Sequence, residues 1–115
     1  MELKVSTRSH AGYAVVAITG EIDLYTAPRL QQEFTRLLQD RPGRVVIDMS
    51  LVEFCDSTGM NVLLSALKRI KEQGGELDVA APRPAVRKIL QVTGLDSVFT
   101  VHEEVPQEFL ITEGS

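Results

Sequence analysis

The chain has no tryptophan, one cysteine and only two histidines in 115 residues. A single cysteine cannot close an intramolecular disulfide, and Cys55 with the distant His10 and His102 offers no zinc-ligand spacing. A reducing, cytoplasmic setting without metal or cofactor is therefore expected. Positive charge is in short supply as well: 12 Lys+Arg stand against 16 Asp+Glu, a net charge of -4. General nucleic-acid binding and polybasic membrane anchoring both need a cationic surface, so neither is expected, and basic partner surfaces are the better match. Long apolar runs are missing too. Tyr13 to Ile18 is far too short to span a bilayer, and MELKVSTRSH lacks the basic region and apolar stretch of a secretory signal. No membrane association and no export are expected.

Catalytic signatures are equally scarce. Neither G-x-x-x-x-G-K-[ST] nor G-x-G-x-x-G occurs, so nucleotide-cradling loops are unsupported. A serine-hydrolase elbow needs G-x-S-x-G, but Cys55 stands two residues before Ser57, and His10 and His102 are poorly placed to serve as its base. Asp48 near the end of a central strand lacks the acidic pair and the lysine of a receiver-type phosphoacceptor site, and reads as a hydrogen-bond acceptor. An enzyme is not expected.

What is present is a clear alternation of periods. With 43% apolar residues the chain suits one compact domain, 1–115, with a core of about 3–112. Leu3, Val5 and Thr7 alternate, and GYAVVAITG follows a short turn, which predicts two antiparallel strands. Thr26 and Pro28 open a helix carrying Leu30, Phe34, Leu37 and Leu38 on one face, closed by Pro42 and Gly43. RVVIDMS is apolar at consecutive positions, as in a central strand covered on both faces. A helix begins near Thr58, with Met60, Leu63, Leu64, Leu67 and Ile70 inward, Lys68 to Glu72 largely on the solvated arc, and Gly74-Gly75 at its end.

A strand at Glu76 to Ala81, a helix from Pro84 to Thr93, a strand at Val98 to Val101 and a last helix from about Pro106 complete the order β-β-α-β-α-β-α-β-α. Such alternation implies right-handed crossovers and an α/β fold: a mixed, mostly parallel sheet of about four to five strands with about four α-helices.

In open α/β sheets the loops at the carboxyl ends of parallel strands collect along one edge, where sites form. The stretches GEIDLYT, SLVEFCDST and APRP should meet there, bringing together Glu21, Asp23, Asp56, Ser57 and Thr58. Ser57 has two readings on its residues alone. It caps the following helix, or its hydroxyl sits where the helix N-terminus favours a bound or covalent phosphate. Asp23 and Asp56 suit Asx-type loop or cap positions. Cys55 reads as a small buried filler, His10 and His102 as plain surface residues, and Met60 as a core position.

Four stretches, GEIDLYTAPRL, VVIDMS with DSTG, KRIKEQGGEL and ILQVTGLDSVF, occur in the order and spacing of one family. From about Leu3 to Val105 the sequence resembles a STAS domain of the bacterial anti-sigma factor antagonists (anti-anti-sigma factors). The resemblance implies a transcription regulator that acts by protein binding. Its unphosphorylated form holds an anti-sigma factor, which is also a serine kinase, and so releases the sigma factor. Phosphorylation of Ser57 by that kinase switches it off, and a serine phosphatase resets it. Thr58 is a possible secondary phosphorylation site. The implied partner-binding residues are Glu21, Asp23, Tyr25, Asp56, Ser57, Thr58, Gly59, Met60 and Asn61, on a monomer or weak dimer. Family members usually continue the DSTG signature with Leu-Gly or a similar small pair, where this chain has Met60 and Asn61. The alternative function is a constitutively docking STAS module of a transport or lipid-transport system, never phosphorylated.

Overall fold

The computed structural model describes residues 2–110. The elements are β1 (Leu3–His10), β2 (Tyr13–Ile22), α1 (Ala27–Gln39), β3 (Arg44–Cys55), α2 (Ser57–Glu72), β4 (Glu76–Ala80), α3 (Pro84–Val92) and β5 (Thr100–His102), with 3-10 turns at Leu95–Ser97 and Gln107–Phe109. One five-stranded sheet runs in the order β1-β2-β3-β4-β5. β1 and β2 are antiparallel, joined through Ala11 and Gly12, both with positive φ (53° and 84°) as a two-residue hairpin turn requires. Every later pairing is parallel, which follows from helical crossovers between strands.

The three α-helices contribute to one core on one face of the sheet. Leu30, Phe34, Leu37 and Leu38 of α1, Leu63, Leu67 and Ile70 of α2, and Val86 and Leu90 of α3 join Val16, Ile18, Val45, Ile47, Met49 and Val79 there. The opposite face is only partly covered. Val15, Val46 and Ala80 meet Phe109, with Tyr13 and Val105 alongside. The guanidinium of Arg44 lies 5.9 Å from the Tyr13 ring centroid and 5.3 Å from that of Phe109, and 3.5 Å from Asp78.

β3 is the longest strand and outruns its neighbours. β4 pairs with it only from Arg44 to Asp48, whereas β2 follows it to Cys55. Two register shifts against β2 each place an extra residue in β3. Ala17 faces Asp48 and Thr19 faces Leu51; then Gly20 faces Val52 and Glu21 faces Phe54. These bulges explain one departure from the sequence reading. The run SLVEFC, expected as loop, is strand, because the extra residues break the period-two signal while Val52 and Cys55 still reach the core.

Three other expectations are corrected. The fourth helix is a 3-10 turn at Gln107–Phe109 among the described residues; the rest of that expected helix and the end of the 3–112 core range lie outside them. The last strand starts at Thr100, since the Leu95–Ser97 turn sends Phe99 into the core. His102 is no plain surface residue: its Nε2 lies 2.8 Å from Oδ2 of the buried Asp78. No helix among the described residues is long and apolar enough to cross a membrane.

Candidate functional site

β2 and β3 end side by side, with Ile22 opposite Cys55. The Asp56 amide donates to the Ile22 carbonyl at 3.0 Å, tying the two strand ends together. Asp56 is extended and its Oδ1 accepts from the Gly59 amide at 2.9 Å, so Asp56 is the N-cap of α2. Its carbonyl takes the Met60 amide. Of the two readings left open for Ser57, capping is thus corrected: Asp56 holds that position and Ser57 is the first residue of the helix. Ser57 is exposed, and its hydroxyl makes no hydrogen bond among the described residues. The free amides of the first turn and the helix dipole leave positive potential around it.

Gly59 is required by packing. A Cβ there would lie 2.6 Å from Ile22 Cγ2 and 2.7 Å from Cys55 Sγ, so only glycine lets the first turn of α2 rest directly on both strand ends. Beneath it, Cys55 is fully buried, and burial, followed by the charge of Asp56, pushes its thiol up to about 12. It stays protonated and unreactive, the small filler its sequence context suggested.

The neighbouring loop is built around another aspartate. Asp23 Oδ1 accepts from the amides of Tyr25 (2.9 Å) and Thr26 (3.0 Å), and the Asp23 amide donates to Thr26 Oγ1 at 2.9 Å. Thr26 Oγ1 in turn donates to the Glu21 carbonyl at 2.8 Å. Thr26, which opens α1 as expected, stands at its N-cap, but its side chain makes no cap bond and organises the loop. Asp23 is only 7% exposed, a carboxylate turned inward onto two amides that builds the loop. The loop leaves Leu24 and Tyr25 outside, 63% and 82% exposed.

Glu21, Tyr25, Asp56, Ser57 and Thr58 do lie along one edge, joined by the Asp56–Ile22 bond. Asn61, one helical turn beyond Ser57, is exposed as well. Gly59 and Met60 are buried, Met60 within the core, and they support this surface from below. The third loop, APRP, does not reach this edge, contrary to expectation: β4 ends opposite Asp48, and Arg83 Nε donates to the Ser50 carbonyl at 2.9 Å, part-way along β3. Sequence reasoning missed Leu24, and also Leu51 and Phe54, which are 53% and 46% exposed on the protruding part of β3. An exposed apolar residue carries no signal in a strand whose period is broken.

A family model described as STAS domain matches residues 4–108. The anti-sigma-F factor antagonist RsfB of Mycobacterium tuberculosis is 35% identical over 105 residues, covering 88% of this chain and 85% of that protein. The anti-sigma F factor antagonist of Paenibacillus polymyxa is 28% identical over 104 residues, covering 90% and 89%. Among solved structures, an anti-sigma factor antagonist from Mycobacterium paratuberculosis superposes with a TM-score of 0.84 at 34% identity, covering 95% of this chain and 92% of its own.

Proposed function

The chain belongs to the STAS domain family, among the anti-sigma factor antagonists, and on that premise we propose that it is a phosphorylation-switched antagonist acting in the cytoplasm. Unmodified, it binds an anti-sigma factor and releases a sigma factor for transcription. The anti-sigma factor is also a serine kinase; it transfers phosphate to Ser57 Oγ and so ends the complex, and a serine phosphatase restores the hydroxyl. The observation that carries this reading is the exposed, uncommitted hydroxyl of Ser57 at the start of α2, with Asp56 doing the capping. A serine with no structural duty can be modified without loss of fold.

The switch is local electrostatics. Phosphate adds about -1.5 to -2 charge at neutral pH, next to Asp56 and opposite a kinase site that itself holds nucleotide phosphates. A surface fitted to a bare hydroxyl must then desolvate a dianion. At an effective dielectric near 20, like unit charges about 6 Å apart repel by roughly 3 kcal/mol, on the order of a hundredfold in affinity. The helix dipole partly offsets the charge within the protein, so the phosphorylated form remains folded.

The test combines purified candidate anti-sigma kinases and ATP with the chain and maps phosphate by mass spectrometry. Phosphate on Ser57 is expected, and Ser57→Ala should take up none while still binding. Calorimetric titration of both forms against the phosphorylating partner should show at least about a tenfold loss on modification. Equal dissociation constants would remove the switch in favour of constitutive docking, and full phosphorylation of Ser57→Ala would move the acceptor to Thr58 or elsewhere.

A further inference from the structure

The sheet face that carries no helix is covered unevenly. Its lower half is sealed by Val105 and Phe109 against Val15, Val46 and Ala80. Its upper half belongs to β2 and β3 beyond the end of β4, and two large apolar side chains stand there half in water: Leu51, 53% exposed, and Phe54, 46% exposed. In a regular strand, residues three apart point to opposite faces. Here the second bulge inserts a residue between them, so Leu51 is level with Thr19 and Phe54 with Glu21, two positions apart on β2. The bulge thus brings both side chains to the same face, next to each other.

The surroundings are acidic. Glu53 is exposed between the two, Glu21 is the ladder partner of Phe54, and Glu2 lines the same shallow cleft. Lys4 is the cation in that cleft, yet none of the four is in an ion pair among the described residues. We infer that Leu51 and Phe54 form a docking ledge for a basic amphipathic segment of the anti-sigma partner, its apolar side chains on the ledge and its Lys or Arg side chains at Glu21 and Glu53. The inference rests on the antagonist reading above and extends the grip of that partner from the Ser57 edge around to the bare face. Charge excludes the nearer alternatives. A second copy would set Glu21 and Glu53 against their own kind, and the chain's own Glu103, Glu104 and Glu108 give its C-terminal segment the wrong sign.

The experiment titrates the full chain and its Leu51→Ser/Phe54→Ser variant into the anti-sigma kinase that phosphorylates Ser57, with and without prior phosphorylation. The double variant should bind about tenfold more weakly or worse, keep its far-UV circular dichroism, and lose the same further factor on phosphorylation as the parent. Glu53→Lys should weaken association further at low salt and flatten its salt dependence. Unchanged affinity of the double variant for a kinase that binds the parent overturns the ledge and leaves the antagonist reading standing. A parent chain that binds no such kinase overturns both. Concentration-dependent dimerisation in sedimentation velocity, abolished by the double variant, would reassign the ledge to self-association.

Discussion

Asp23 and Asp56 look alike in sequence: each is an acid at the end of a strand, just before a helix. In the fold they do different things. Asp23 faces inward and holds the amides of Tyr25 and Thr26, which pushes the apolar Leu24 and Tyr25 outward. Asp56 caps α2 through Gly59 and leaves the polar Ser57 outward. In both loops the acid builds and the residue after it is displayed. One loop offers apolar surface, the other an exposed hydroxyl; under the proposed function a partner touching both would read hydrophobic surface and phosphorylation state together.

Mutations can break this comparison in graded steps. Gly59→Ala should do most damage, since its Cβ has no room against Ile22 and Cys55; overpacking of this kind costs up to about 3 kcal/mol, measured by urea denaturation, and partner affinity should fall with it. Asp23→Ala leaves two part-buried loop amides without their acceptor and should cost about 1–2 kcal/mol. A neutral effect on stability combined with complete loss of partner binding would instead make Asp23 an interface residue and undo the contrast. Asp56→Ala removes one cap and should cost about 1 kcal/mol, with Asp56→Asn recovering most of it. Ser57→Ala should change stability by under about 0.5 kcal/mol, because Ser57 is exposed and caps nothing. A larger loss at Ser57 than at Asp56 would return the capping role to the serine.

Much of this was legible beforehand. The helical faces of α1 and α2 follow from a period of 3.6 that Leu30, Phe34, Leu63 and Leu67 keep faithfully, and the central strand from the unbroken apolar run Val45 to Ile47, buried on both faces. That the ends of β2 and β3 lie side by side was legible from strand order, whereas the length by which β3 outruns β4, which keeps the APRP loop away from them, was not. What escaped depends on distance and burial. Two potential caps stood in a row at Asp56 and Ser57, and only the reach to the Gly59 amide separates them. Nothing in GEIDLYT tells that the Asp23 carboxylate turns inward while Tyr25 turns out. Leu51 and Phe54 were hidden by the two bulges, which make an amphipathic strand look like an apolar loop.

The sheet also narrows toward the end that carries Ser57. At the level of Ser6, Ala17, Asp48, Ala80 and His102 it is five strands wide, but at Ile22 and Cys55 only two remain. Amides low on β3 are therefore released to solvent only when the whole domain opens, while those near Cys55 can exchange through the parting of a single ladder. The molecule is graded like a tapered beam fixed at its broad base. A rearrangement at the ends of β2 and β3 would be absorbed at the thin tip, while the five-stranded end keeps its shape.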